Sequence, residues 1–260
     1  LRITKRRIEE IMKQNNDSQF SFLKTLATNY NTKSFIAEDP IRFPKSYTSK
    51  QDIEISAFVS SWIAYGNRKQ ILATLEKIHK DFGVSPYKYI IERKFDKYKA
   101  DKQNLYRFYT KADFYQLCDT LHYIYSEHPD IETKLLSIQS NYDTALELLQ
   151  NIISLFPNQK GIPCDTKSAC KRLCLLLRWL IRKDGIVDLG IWNLIPQNKL
   201  LIPLDTHVFR LAKQLGFTKR KQADMKTVLE ITQAMKNIFP NDVALGDFAL
   251  FGYGVEGNDF

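Results

Sequence analysis

The sequence predicts an all-α protein, and three observations support that fold class. Glycine and proline are sparse, at 10 and 9 of 260 residues, so few positions interrupt regular structure. Apolar residues recur with helical spacing along most of the chain. The one strand-like stretch, residues 200–203, contains a proline, which cannot donate a hydrogen bond to a sheet. We therefore expect a chain built from helices and connections.

The helices can be placed from the same periodicity. Residues 52–65 are apolar on most sides and stop at Gly66, which predicts a buried helix that ends at a glycine. Two polar stretches, 30–51 and 156–168, are predicted to be long connections. Further helices are predicted over 3–14, 18–29, 68–82, 111–126, 142–155, 168–183, 206–215, 223–238 and 242–253.

Length, charge and hydropathy restrict the class of protein. A chain of this length with 44% apolar residues can bury a core as one large or two small domains. No run approaches the ~18 uncharged apolar residues of a membrane helix, so we expect no membrane-spanning segment. With 38 Lys and Arg against 29 Asp and Glu, the net charge of +9 favours a polyanionic partner, nucleic acid first.

The cysteine pattern predicts reduced thiols in a cytoplasmic protein. Four cysteines in a chain of this size do not form a disulfide framework. They have no CxxC pairing and no nearby histidine cluster, so we expect no zinc site and no other metal. The four are Cys118, Cys164, Cys170 and Cys174.

The segment that runs from Pro203 to Arg210 contains the first candidate for chemistry. Asp205 follows a proline and precedes an amphipathic helix, so its carboxylate is expected at the positive end of that helix. A capping aspartate alone contributes ~1 kcal/mol of stability and catalyses nothing, so a catalytic role needs a second group nearby. His207 is expected to pack or hydrogen-bond on the same helix.

The predicted helix over 168–183 offers that second group. At about 100° per residue, Lys171, Arg178 and Arg182 fall within ~40° of one another and form a cationic stripe. Lys171 stands in the first turn, where the helix dipole disfavours an ammonium. The stripe is either a solvated charged face or part of a site, in which Arg178 and Arg182 are predicted to contact the phosphates of nucleic acid. A separate apolar arc is expected to face the core, formed by Leu173, Cys174, Leu177, Leu180 and Ile181.

Other polar side chains are candidates for phosphate contacts. Residues 86–111 interleave basic and aromatic side chains, which is typical of a surface that tracks a nucleic-acid backbone or of an amphipathic connection with buried aromatics. Trp62 and Trp179 are expected in the core. The candidate phosphate contacts are Asn67, Arg68 and Lys69 after Gly66, and Lys219, Arg220 and Lys221 after Gly216.

The sequence Pro203-Leu-Asp-Thr-His-Val-Phe-Arg210 resembles the (V/L)DTHV-x-R motif of the helix-hairpin-helix DNA glycosylases, the superfamily of endonuclease III and 8-oxoguanine glycosylase. The resemblance implies a two-lobed helical fold with a central cleft. It matches Asp205 to the essential aspartate and, by position, Lys171 to the Schiff-base lysine of the bifunctional members. Residues 52–68 are similar to the early core helix, whose end probes the DNA stack.

A narrower resemblance covers the whole chain. Several segments are similar to an uncharacterised bacterial protein family, which names no reaction. These segments are Ala64-Tyr-Gly-Asn-Arg68, Tyr106-Arg-Phe, Lys171-Arg-Leu with Leu177-Arg-Trp and Arg182-Lys-Asp184, and Phe248-Ala-Leu-Phe-Gly252.

The chain departs from the glycosylase pattern in three ways. The Gly-x-Gly of the hairpin is missing, since the sequence there is Cys164-Asp-Thr-Lys-Ser-Ala-Cys170. Lys171 and Asp205 stand 34 positions apart, which is closer to the archaeal 8-oxoguanine glycosylases than to endonuclease III. The cysteines do not form a four-cysteine loop, so we expect no iron–sulfur cluster and no other cofactor.

Together with the helical pattern and the basic charge, the resemblance implies a monomeric DNA-repair N-glycosylase and abasic-site lyase that acts on a damaged base in duplex DNA. By analogy with the superfamily, residues 1–51 and 201–260 form one discontinuous lobe and residues 52–200 the other. Asp205 would stabilise the oxocarbenium character at the sugar, and Lys171 would attack C1′ as a neutral amine once the base is flipped out. The alternatives are a non-catalytic DNA- or RNA-binding protein of the same fold, and a helical scaffold with Lys171 and Asp205 far apart.

Overall fold

Helices form most of the computed structural model, which describes residues 16–257. A short antiparallel hairpin, β1 (Asn104–Tyr106) and β2 (Tyr109–Thr110), interrupts the helices between Ile91 and Lys111. The predicted all-α class is therefore confirmed. The helices are α1 (Asn16–Tyr30), α2 (Lys33–Ala37), α3 (Lys50–Ile63), α4 (Arg68–Phe82), α5 (Pro86–Ile91), α6 (Lys111–Glu127), α7 (Ile131–Ile138), α8 (Ala145–Leu155), α9 (Lys171–Ile181), α10 (Thr206–Gln214), α11 (Met225–Ile238) and α12 (Ala244–Val255).

The predicted helices agree with the observed ones to within a few residues at each end. Only the helix predicted over 3–14 lies outside the described residues. The connection predicted over 30–51 is wrong in part, because it contains α2 and two turns of 3-10 helix. Helices α5 and α7 were also not predicted, since each is too short for periodicity to reveal it. The hairpin was missed for the same reason.

Polar caps fix where several helices begin. The hydroxyl of Ser49 accepts a hydrogen bond from the amide of Asp52 at 3.2 Å and starts α3. At α6, Thr110 and Asp113 form a reciprocal capping box, in which each side chain accepts from the other residue's amide. The carboxylate of Asp224 accepts from the Thr227 amide at 3.0 Å and starts α11. These caps satisfy amides that a helix start leaves unpaired.

Helix α3 forms the centre of the core, as its composition predicts. Every residue from Asp52 to Ile63 is buried, and α9 packs directly against it. The buried carboxylate of Glu54 accepts hydrogen bonds from the Trp192 indole at 2.6 Å, the Tyr125 hydroxyl at 2.8 Å and a backbone amide. These donors hold a charge that would otherwise be costly to bury. Trp62 and Trp179 are core residues, as expected.

The two ends of the described chain pack against each other. Helix α1 lies along α12, which also contacts α10. The α1–α12 contact is close because Gly252 faces the Tyr30 ring, where a Cβ would come within 2.3 Å of that ring. The same helix turns Gly254 toward His207 of α10. This packing joins segments that were predicted to share a lobe; the division into two lobes stays a prediction.

The described residues include no helix that combines the length and the apolar character needed to span a membrane.

Candidate active site

A cleft of about 670 Å³ opens where five parts of the chain meet. Its walls come from the turn at Asp39, the connection from α3 to α4, and the facing sides of α9, α10 and α12. Lys171 and Asp205 both line it, so the structure brings the two predicted catalytic residues into one cavity. Its volume is in the range of cavities that hold small organic groups.

Asp205 is the N-cap of α10, as the sequence predicts. One carboxylate oxygen, Oδ1, accepts a hydrogen bond from the amide of Val208 at 2.8 Å. The preceding residues, Pro203 and Leu204, are buried and fix the chain before the cap. The carboxylate is therefore held at the cleft wall in one orientation.

Lys171 is the first residue of α9. The residue before it, Cys170, has a φ of 46°, a left-handed conformation that is uncommon for a side chain of this kind. This turn brings the chain into α9 with Lys171 at the cleft. Its Nζ donates a hydrogen bond to the carbonyl oxygen of Ala64 at 3.3 Å, which tethers the side chain to the end of α3.

A third charged group, Asp247, lies in the same cleft and was missed from the sequence. It is a single acid in the apolar helix α12, and it is buried against Arg178, whose Nη1 donates to its Oδ2. Burial raises the pKa of Asp247 to about 6; the positive charge of Arg178 opposes that rise, and the nearby carboxylate of Asp205 adds to it. The charge of Lys171 also acts on this group. An isolated acid in an apolar helix is the signal that points to such a residue.

Asp39 is a further buried carboxyl of the cleft. Its Oδ1 accepts a hydrogen bond from the amide of Ile41 at 3.0 Å. Burial raises the pKa of Asp39, and the positive charges of Arg178, Arg68 and Lys171 act in the opposite direction. The cleft thus combines three carboxyl groups with cationic groups. Asp39 is not identifiable from sequence alone, because it lies in a segment predicted to be a plain connection.

Arg178 does not lie on a solvated charged face, so that alternative for the cationic stripe is wrong at this position. Its side chain is 2% exposed. Its Nε donates to Asp188 Oδ1 at 3.2 Å, and Nη1 donates to Asp247. The guanidinium therefore binds two buried carboxylates, and Arg178 lines the cleft together with Asp247. Contact of Arg178 with nucleic acid stays a prediction.

Arg182 is likewise buried, at 1% exposure, so the solvated face is wrong there as well, and its contact with phosphate stays a prediction. Its Nη1 donates to Asp184 at 2.6 Å and to Asp188 at 2.8 Å, while Nη2 donates to Asp242 at 2.8 Å. Asp184 and Asp188 come from the connection after α9, and Asp242 comes from the segment just before α12. The apolar arc of α9 is buried, as predicted.

The remaining predicted contacts divide between the cleft and the surface. Asn67 caps α4 and lines the cleft with Arg68, whose guanidinium lies 5.5 Å from the centre of the Phe251 ring. His207 also lines the cleft and meets the edge of that ring. Lys69, Lys219 and Lys221 are exposed, whereas Arg220 pairs with Asp224 at 2.6 Å. Contact of these residues with nucleic acid stays a prediction.

Most aromatic side chains of residues 86–111 are buried. Tyr89, Phe95, Tyr106 and Tyr109 belong to the core. Phe108, at the tip of the β1–β2 hairpin, is 52% exposed. Of the two interpretations of this stretch, an amphipathic connection with buried aromatics therefore fits all but the tip.

Among the described residues, neither metal-ligating side chains nor cysteines form a second candidate site. Between residues 16 and 257, no group of three or more His, Cys, Asp or Glu side chains is arranged to hold a metal ion. All four cysteines are free, and only Cys164 is exposed. Burial raises the pKa of the Cys118 and Cys174 thiols, which disfavours reactive thiolates at these positions.

Comparison with known proteins shows which family the chain belongs to. No curated protein and no solved structure gives a significant match. A family profile described as "Protein of unknown function (DUF2400)" matches residues 39–256, a span that includes Asp39, Lys171, Asp205 and Asp247. Because the match covers most of the sequence, the chain belongs to the DUF2400 family of proteins of unknown function.

Proposed function

We propose that this protein is a DNA N-glycosylase with abasic-site lyase activity, in which Lys171 is the nucleophile and Asp205 the electrostatic partner. The observation that carries the proposal is that both residues line one cleft, each at the first turn of its own helix. An amine can act as the nucleophile at C1′, and a fixed carboxylate in the same cavity can stabilise the positive charge that develops on the sugar.

The role of Asp205 follows from its cap. Loss of the base leaves positive charge on the sugar, and a carboxylate held in advance stabilises that charge without reorganising. The hydrogen bond from the Val208 amide fixes one oxygen of Asp205 and leaves the other for the cleft.

The role of Lys171 follows from its position. Its amine, released from the Ala64 carbonyl, attacks C1′ of a flipped nucleotide, and the base leaves with the bonding electrons and takes up a proton. The amine gives up one proton to the departing base and a second to O4′ as the sugar ring opens to an imine. Loss of a proton from C2′ then expels the 3′ phosphate. At an abasic site, the same amine condenses with the free aldehyde and releases water.

Duplex DNA is the proposed partner on grounds of charge. The chain carries a net charge of +9, and Arg68 stands at the cleft with exposed Lys69 beside it. Exposed Lys219 and Lys221 add positive charge in the turn that precedes α11. Such groups bind phosphates whatever the base sequence.

A non-catalytic DNA- or RNA-binding protein is the second candidate, favoured by one observation. The loop before α9 lacks the Gly-x-Gly that offers amides to a phosphate in the glycosylases. It is joined instead to the start of α11, where the Met225 amide donates to the Lys167 carbonyl at 3.0 Å. A protein of this kind would bind the same duplexes without forming an adduct.

Borohydride trapping separates the two candidates. Duplexes that carry an abasic site or 8-oxoguanine are incubated with the protein and sodium borohydride, which reduces an imine to a stable amine. Wild type and the control Lys167→Gln are expected to form a covalent adduct, and Lys171→Gln is expected to form none. Lys167 is a suitable control because it lies four residues earlier and its side chain is 92% exposed.

Each other outcome changes the assignment. An adduct that survives in Lys171→Gln moves the chemistry to another amine. Salt-sensitive binding without an adduct favours the non-catalytic candidate. Absence of both adduct and binding rejects the nucleic-acid function.

A further inference from the structure

We propose that the tip of the β1–β2 hairpin is a wedge, in which Phe108 inserts into the base stack of a duplex beside the cleft. The inference rests on the proposed function in taking duplex DNA as the partner. It gives a role, unstacking the bases around the target nucleotide, to a hairpin whose Tyr106-Arg-Phe segment belongs to the family resemblance but has no function assigned to it.

Exposure distinguishes Phe108 from its neighbours. Its ring is 52% exposed, whereas Tyr106 and Tyr109 on either side are 4% and 0% exposed. Arg107 before it adopts a left-handed conformation with a φ of 52°, and the Asn104 side-chain amide donates to its carbonyl. The turn is thus closed by its own hydrogen bond while it presents an apolar ring to solvent.

The hairpin is anchored to the wall of the cleft through Tyr65. The Tyr106 hydroxyl donates to the Tyr65 carbonyl, and the Phe108 ring lies 4.9 Å from the Tyr65 ring. The Arg107 guanidinium lies 5.3 Å from the centre of the same ring. Since Tyr65 itself lines the cleft, the tip stands at its rim.

Positive charge flanks the exposed ring. The Lys160 ammonium lies 5.9 Å from the centre of the Phe108 ring. Arg107, the preceding residue, reaches Gly66, where a Cβ would come within 2.8 Å of its guanidinium. An apolar ring with two cations nearby fits a base stack that is bordered by phosphates.

The physical reason for a wedge is the cost of flipping a base. Removal of a nucleotide from the stack leaves a gap, and an inserted apolar side chain recovers part of the lost stacking. Stacking of a base on an aromatic ring stabilises a complex enough to change affinity about 5- to 100-fold. A ring fixed on a short hairpin at the rim of the cleft meets that need.

Fluorescence of 2-aminopurine, which rises when the base is unstacked, tests the inference. The probe duplex carries an unreactive tetrahydrofuran abasic analogue with 2-aminopurine as its neighbour. At saturating wild type the fluorescence is expected to rise. Phe108→Ala is expected to lose most of that rise and to bind about 5- to 100-fold more weakly. Phe108→Trp is expected to restore both, and Tyr123→Ala, which removes a 65% exposed aromatic on α6, is expected to behave as wild type.

The outcomes separate the wedge from the catalytic proposal. Retention of the full rise in Phe108→Ala, with thermal melting as in wild type, overturns the wedge. Binding without any rise in wild type also overturns it and leaves the trapping result untouched. A rise that depends on Phe108 in a protein that forms no adduct supports the wedge and rejects the chemistry. Absence of DNA binding rejects both.

Discussion

The two ends of α9 carry cations on the same face but have opposite surroundings. At the first residue, Lys171 faces an open cleft and is tethered by one hydrogen bond to a carbonyl. Toward the other end, Arg178 and Arg182 are 2% and 1% exposed and are bound by carboxylates. One end can reach a ligand, whereas the other holds the fold together.

The difference shows that the partners of a charge, not its helical position, decide its role. Asp184 and Asp188 directly follow α9, but Asp242 and Asp247 lie some 60 residues further along the chain. Burying a cation without such partners would be strongly unfavourable. Loss of one member is therefore expected to destabilise the whole buried cluster, which consists of Arg178, Arg182, Asp184, Asp188, Asp242 and Asp247. Lys171, by contrast, donates its hydrogen bond to a backbone carbonyl, that of Ala64.

The largest expected effect is a loss of stability when the buried C-terminal end of α9 is altered. Arg182→Gln leaves Asp184, Asp188 and Asp242 without their shared cation, which is expected to lower the free energy of unfolding by about 3–5 kcal/mol. Urea denaturation measures this change in the free energy of unfolding. The adjacent exposed residue gives the control, since Lys183→Gln is expected to cost less than about 1 kcal/mol. A loss equally small for Arg182→Gln would contradict the structural role given to the cluster.

The next effect is on chemistry, at the open end. Asp205→Asn keeps a capping side chain, so stability should change by less than about 1 kcal/mol. The rate of adduct formation on an abasic duplex is expected to fall about 10²-fold, because the amide cannot stabilise the cationic imine. Asp224→Asn alters the equivalent cap of α11 and should leave that rate unchanged. Equal rates for Asp205→Asn and wild type would remove Asp205 from the mechanism.

A smaller effect on stability, dependent on pH, is expected at Asp247, which lines the cleft and is paired with Arg178. Its pKa is raised from an ordinary 3.8 to about 6, so the folded state holds this proton more tightly than the unfolded state. The resulting stability is fully present below pH 3.8 and is lost as the pH rises through 6. Relative to Asp247→Asn, wild type is therefore expected to lose about 1–3 kcal/mol between pH 4 and 7. Parallel pH profiles from urea denaturation would contradict this assignment.

The sequence predicts the long helices and the two central residues of the candidate site, Lys171 and Asp205. Periodicity locates α9 and α10, and the local pattern identifies Asp205 as a cap and Lys171 as a helix start. It does not reveal the burial of Arg178 and Arg182, because their acids come partly from a helix distant in sequence. Asp39 enters the cleft through tertiary packing for the same reason. The β1–β2 hairpin is not predicted, because strands of two or three residues show too little alternation of apolar and polar residues to be detected.

Peptide mapping of the reduced adduct tests the central claim most directly. Wild type is trapped with borohydride on an abasic duplex, digested with nuclease and protease, and examined by mass spectrometry. The account predicts a sugar remnant on Lys171, at the open end of α9. A remnant on another lysine, such as exposed Lys69 or Lys167, would contradict it.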